Sequence, residues 1–146
     1  HASGVSILTN SVDIAHARIR FENGTVSSVT ASRVAKDKVR KIKIFQDNLY
    51  STIDLLLEQT EIYNITKDSN LIENALQAEP FPDDNEKKYI VYEKPKIKNY
   101  DSLREELNNF VNSILNIESP IVNGIEARNA LEVVIKINEM ILEDLK

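Results

Sequence analysis

Three side chains in the first quarter of the chain are of types that could act on a small molecule: His16, Arg18 and Arg33. A histidine carries or releases a proton near neutral pH, and a guanidinium offers a rigid fork of donors to phosphate, carboxylate or hydroxyl oxygens. No second histidine or cysteine stands near His16, so the spacing does not read as a metal site. His16 is instead expected mid-strand, filling a mixed sheet face or contacting substrate. Arg33 ends the segment Thr30-Ala31-Ser32-Arg33, from which it can meet a substrate anion or hydroxyl, or a neighbouring subunit. Arg18 and Arg33 also belong to a basic zone with Arg20, Lys36, Lys38, Arg40, Lys41 and Lys43. Nucleic-acid binding would need aromatic rings interleaved with these cations, and only Phe21 and Phe45 flank them. Alternation along strands splits the charges between faces, so solvated faces, edge protection and interface pairing are expected. No nucleic-acid partner is expected of a chain with net charge −5.

Other chemistries are excluded by what is missing. The 146 residues contain no cysteine, which rules out disulfide scaffolds, thiolate metal sites and cysteine nucleophiles, and fits a reducing, cytoplasmic setting. Gly4, Gly24 and Gly124 lie too far apart in sequence to form a phosphate-cradling loop. Asp83, Asp84 and Glu86 lack the spacing and glycine of a calcium loop and read as a solvated acidic loop. The longest apolar runs, such as Leu55-Leu56-Leu57, are far too short for a membrane span. The 42% hydrophobic and 28% charged composition is that of an ordinary globular protein.

The elements that must position these residues fall into a β-rich front, a polar middle and a helical tail. Residues 12–21 and 25–34 alternate on either side of Asn23-Gly24, the strongest short hairpin signal. With a two-residue turn there, Phe21 faces Val26, Ile19 faces Ser28, Ala17 faces Thr30 and Ala15 faces Ser32 on a core-like side. The other side then carries Arg20 with Ser27, Arg18 with Val29, His16 with Ala31 and Ile14 with Arg33. That second, outer face is mixed enough to be covered by another chain or a ligand. Residues 39–46, 50–57, 60–65 and 89–93 read as further antiparallel strands. Residues 66–88 read as a polar surface excursion with one helical turn near residues 71–76. Asp101 precedes a helix at 102–116 with the stripe Leu103, Leu107, Phe110, Val111 and Ile114. After Pro120, Asn123-Gly124 opens a longer helix to about residue 145, with Ala127, Ala130, Leu131, Val134, Ile137, Met140 and Ile141 as its stripe. These stripes are expected to be core. The expected fold is a two-layer α+β domain spanning residues 1–146: a mostly antiparallel sheet with two C-terminal helices on one face.

Two stretches carry a family resemblance. One is Ala17-Arg18-Ile19-Arg20-Phe21-Glu22-Asn23-Gly24-Thr25-Val26, continued by Thr30-Ala31-Ser32-Arg33-Val34 and Val39-Arg40-Lys41-Ile42-Lys43-Ile44-Phe45. The other is Pro120-Ile121-Val122-Asn123-Gly124 leading into Ala130-Leu131-Glu132-Val133. With the order of elements, they resemble the C-terminal domain of the glucose–fructose oxidoreductase / inositol dehydrogenase-like (Gfo/Idh/MocA) family. The resemblance implies a parent enzyme that moves hydride between NAD or NADP, held by an N-terminal Rossmann domain, and a sugar or polyol-like substrate. It implies that this domain shapes the substrate pocket and makes homo-oligomer contacts through its outer sheet face.

The family's glycine-rich loop is absent, and so is its D-x-x-x-H signature, since Val12 stands four positions before His16. Glu93-Lys94-Pro95 spells the family's E-K-P tripeptide, but after the last strand rather than in a Rossmann domain, and Lys94 reads as a solvated lysine. The expectation is therefore a fragment that lacks its cofactor domain, binds no cofactor and does not catalyse alone. A self-contained α+β binding or scaffold module is the other reading.

Overall fold

The computed structural model describes residues 1–82, 87–97 and 101–145. Asp83, Asp84 and Glu86, considered above for calcium, lie outside the described residues. Among the described residues the fold is α+β, with antiparallel strands in two sheets and three helices. The chain forms two compact units, one of His1–Asp37 with Ser102–Lys146 and one of Lys38–Asp101.

The first unit holds a three-stranded sheet of β1 (Ala2–Val5), β2 (Ile14–Arg20) and β3 (Val26–Ser32), in that order. The expected hairpin forms between β2 and β3, but its register differs from a two-residue turn by one position. Arg20 pairs with Val26, the Phe21 amide donates to the Thr25 carbonyl at 2.9 Å, and the Gly24 amide donates to the Phe21 carbonyl at 3.0 Å. Glu22-Asn23-Gly24 is thus a three-residue turn in which only Gly24, at φ 88°, takes a left-handed conformation. A slip of one residue turns one strand over. Ala17 now faces Val29, Ala15 faces Ala31, and His16 faces Thr30. Arg33 therefore moves from the outer face to the side of Ala15 and Ala17.

That side is covered by α3 (Gly124–Asp144), the long helix expected from its pattern. Asn123 accepts hydrogen bonds from the Ile125 and Glu126 amides, and Glu126 returns one from the Asn123 amide, which completes a capping box. Ala2, Ala17 and Ile141 are buried together, with Val12, Ala15 and Ile137 packed around them. β1 passes under the helix at Gly4, where a Cβ would stand 2.6 Å from Ile141 Cγ2 and 2.9 Å from Val12 Cγ1. Only glycine allows the strand and helix to approach this closely. The rest of the α3 stripe departs from expectation: Leu131, Val134 and Met140 are exposed. So is the stripe of α2 (Ser102–Ile114), from Leu103 through Leu107, Phe110 and Val111 to Ile114. Helical periodicity makes a face apolar, and here the described residues leave that face uncovered.

The second unit is a five-stranded antiparallel sheet in the order β4-β5-β6-β8-β7. Its strands are β4 (Lys41–Gln46), β5 (Leu49–Asp54), β6 (Gln59–Thr66), β7 (Gln77–Pro80) and β8 (Tyr89–Glu93). The polar stretch at 66–88 contains both β7 and the short helix α1 (Ser69–Asn74), which packs beside β8. β7 pairs with β8 from Gln77 opposite Tyr92 to Pro80 opposite Tyr89. Leu55-Leu56-Leu57, expected as the end of the strand at 50–57, is an exposed turn beyond β5. It is held by Asp54, whose carboxylate accepts the Leu56 and Leu57 amides at 3.0 Å each and pairs with Lys41 at 3.0 Å.

Candidate functional site

β1 ends at Val5, and the next residues wrap around the buried carboxylate of Asp13. Asp13 Oδ2 accepts the amides of Ile7 at 2.8 Å, Leu8 at 2.7 Å and Thr9 at 3.0 Å, and Oδ1 accepts the Thr9 hydroxyl at 2.8 Å. These donors, the Thr9 amide foremost, hold the acid far below the ordinary carboxylate range. Arg33 docks on this ionised centre. Its amide donates to the Asp13 carbonyl at 3.0 Å, its Nε lies 3.8 Å from Asp13 Oδ1, and its Nη1 reaches Ser11 Oγ at 3.4 Å. The Arg33 side chain is still 60% exposed, so its remaining donors face outward.

Beside this pair lies a groove of about 820 Å³, the size of a small-molecule site. Its floor is Ala15, Ala17, Val29 and Ala31 from the sheet, and its wall is Val134, Ile137 and Ile141 from α3. Ser11, Ser32, Arg33 and Asn138 supply polar atoms. The small alanines on β2 and β3 are what leave the space open under the helix. Chemically the groove can bind and orient, with one fixed guanidinium and an apolar floor. Asp13 is saturated with donors, which leaves it poorly suited to act as a base.

Of the three residues singled out from the sequence, only Arg33 lines this groove. His16 and Arg18 lie on the opposite face of β2, both exposed, and His16 Nδ1 is 2.9 Å from Thr30 Oγ1. Lys94 follows β8 and donates to Gln59 at 3.0 Å, a solvated lysine as expected. Sequence reasoning missed Asp13. The available signal was an acid just before a strand and four residues after Thr9, with Asn10 and Ser11 between them to turn the chain. A second hollow of about 1030 Å³ runs along α2 and the loop after it, past Leu107, Phe110, Ile114, Ile121 and Val122. Among the described residues, no three His, Asp or Glu side chains converge as metal ligands, and no helix is long and apolar enough to cross a membrane.

Asp13 and Asp54 give the fold a defined acid limit. Asp54 is also held below its ordinary value of 3.8, by the Leu57 amide first and then by Lys41. Acids whose folded pKa is depressed contribute stability that is complete above the unfolded value and is lost as pH falls through it toward the folded value. Thermal melts should therefore be nearly flat down to about pH 4 and fall steeply below it. The double variant D13N/D54N should start lower and show a shallower acid slope. An unchanged slope would mean that other acids set the limit.

No family model matches the chain. A stretch of 63 residues is 36% identical to the UDP-N-acetylglucosamine 3-dehydrogenase of Acidithiobacillus ferrooxidans, covering 43% of this chain and 20% of that protein. Two solved structures of UDP-N-acetylglucosamine 3-dehydrogenase GnnA from Acidithiobacillus ferrooxidans match the fold with a TM-score of 0.78 and 23% identity. Each match covers 99% of this chain and 40% of the solved chain. At that identity the likeness is one of fold, and it runs through essentially the whole chain. The chain spans less than half the length of the proteins it matches.

Proposed function

We propose that this chain is the C-terminal, substrate-side domain of an NAD(P)-dependent oxidoreductase of the Gfo/Idh/MocA type. Its substrate would be a sugar or polyol-like molecule, with a nucleotide-linked sugar the class suggested by the relative. The observation that supports this most is the 36% identity over 63 residues to a sugar-nucleotide dehydrogenase. The fold correspondence extends that support along the rest of the chain. The uncovered apolar stripe of α2 fits the reading, because an apolar surface of that extent marks a contact with something else. A preceding Rossmann domain is the partner we assign to it.

The residues present do not make a dinucleotide cradle. Gly4 is packed under Ile141, Gly24 sits in a hairpin turn and Gly124 opens α3. The cofactor, which would supply the hydride acceptor or donor, belongs to the other domain, and this chain alone binds and orients. Within the whole enzyme, Arg33 would hold a substrate oxyanion or hydroxyl while the groove floor excludes water behind it.

The test is steady-state kinetics on the full-length gene product with UDP-N-acetylglucosamine and NAD or NADP, followed by the absorbance of the reduced nicotinamide. Losing a charge-assisted contact made equally in ground and transition states raises KM and spares kcat. Arg33→Ala should raise KM by about tenfold or more and leave kcat within about twofold. An unchanged KM would remove Arg33 from substrate binding.

A further inference from the structure

Arg33 meets the Asp13 carboxylate by two routes. The direct one is loose: Nε stands 3.8 Å from Asp13 Oδ1, beyond hydrogen-bond range, so the ion pair attracts the guanidinium without fixing its angle. The other route passes through two hydroxyls. Arg33 Nη1 lies 3.4 Å from Ser11 Oγ, Ser11 Oγ lies 3.0 Å from Thr9 Oγ1, and Thr9 Oγ1 lies 2.8 Å from Asp13 Oδ1.

The two ends of this chain dictate its proton directions. A guanidinium has no acceptor, so Arg33 donates and Ser11 Oγ accepts. An ionised carboxylate has no donor, so Thr9 Oγ1 gives its single proton to Asp13. The Ser11 carbonyl, neutral and farther away at 3.1 Å, is the weaker competitor for that proton. The contact between the two hydroxyls must then run from Ser11 to Thr9. Each bond points from guanidinium toward carboxylate, the arrangement in which every hydrogen bond polarises the next. The Ser11 amide also donates to Thr9 Oγ1, at 3.2 Å, which fills the second lone pair of that oxygen. Thr9 and Ser11 are both exposed, so hydrogen bonds rather than packing set their places.

We propose that Thr9 and Ser11 are positioning residues: their hydroxyls hold the Arg33 guanidinium in one orientation, which leaves its Nη2 donors to an oxyanion of a ligand in the groove beside α3. This role rests on the reading of that groove as the substrate side of an oxidoreductase. Without the hydroxyl chain a side-chain torsion spreads over three staggered wells, and apparent affinity falls with the fraction in the competent one.

Two measurements test it. The first needs no substrate: NMR relaxation of the Arg33 Nε–Hε group in this chain. Wild type should give an order parameter above about 0.6, and Thr9→Val and Ser11→Ala should each give one below it. Thr9→Ser restores the hydroxyl and should return the wild-type value. Circular dichroism checks that each variant is folded. The second is the KM of the full-length gene product for UDP-N-acetylglucosamine. Thr9→Val and Ser11→Ala should each raise KM about threefold or more and spare kcat, while Thr9→Ser should match wild type. In an Arg33→Ala background Thr9→Val should add nothing, because it acts only through Arg33. Equal order at Arg33 in wild type and Thr9→Val would overturn the proposal, and so would a Thr9→Val effect on KM that persists without Arg33. An unchanged KM on Arg33→Ala would overturn the role in binding together with the substrate reading, and the relaxation data separate that case from a failed anchor.

Discussion

Ile141→Ala is expected to destabilise the first unit by about 3 kcal/mol, within the range for removing a fully buried aliphatic side chain. Ile141 is 2% exposed and closes the small core with Ala2 and Ala17. Its surroundings cannot easily relax into the space left behind. β1 is tied to β2 by a continuous ladder, and Gly4 has no side chain to move into the void. Leu131→Ala, on the exposed part of the same helix, should change stability by no more than about 0.5 kcal/mol. Urea titrations followed by far-ultraviolet circular dichroism compare the two. Equal effects would show that α3 is not held by its C-terminal half. Gly4→Ala attacks the same contact by overpacking and should move the midpoint in the same direction as Ile141→Ala.

Asp13→Ala is the second large effect. It strands the amides of Ile7, Leu8 and Thr9 and the Thr9 hydroxyl, and it frees Arg33 from its anchor. Groups left without an acceptor cost more than the hydrogen bonds they had made, and the melting temperature should fall by about 10 °C. Asp13→Asn keeps an acceptor oxygen and should fall between wild type and the alanine variant. Arg33→Ala should leave the melting temperature nearly unchanged, because a largely exposed pair contributes little. A fall on Arg33→Ala as large as that on Asp13→Ala would mean that the ion pair, rather than the amide nest, stabilises the segment.

Much of this architecture is legible in the residues, and the misses have physical causes. Asn123, Gly124 and Glu126 announce the start of α3, since capping is local and depends on a few adjacent side chains. Residues 89–93 form the strand that their pattern predicts, β8. Asn23-Gly24 locates the first hairpin but not its register, because the same dipeptide serves a two-residue turn or the end of a three-residue one. The difference is whether Asn23 joins Gly24 at positive φ, and it does not. That single position decides whether Arg33 shares a face with His16 or with the α3 groove. β7 escaped notice because Gln77-Ala78-Glu79-Pro80 is an edge strand without an apolar alternation. The stripes of α2 and α3 were visible as periodicity, but periodicity does not say what covers a face.

The measurement that bears most directly on the proposed origin of this chain is the native coding sequence upstream of His1. The expected result is an open reading frame in which a strand runs into G-x-G-x-x-G, followed by E-K-P and then by D-x-x-x-H shortly before this segment. That arrangement would supply the cofactor cradle and proton-transfer residues absent here, along with a domain to cover the apolar face of α2. A start codon at or near His1 would contradict the proposal and leave a self-contained α+β module whose groove binds without redox chemistry.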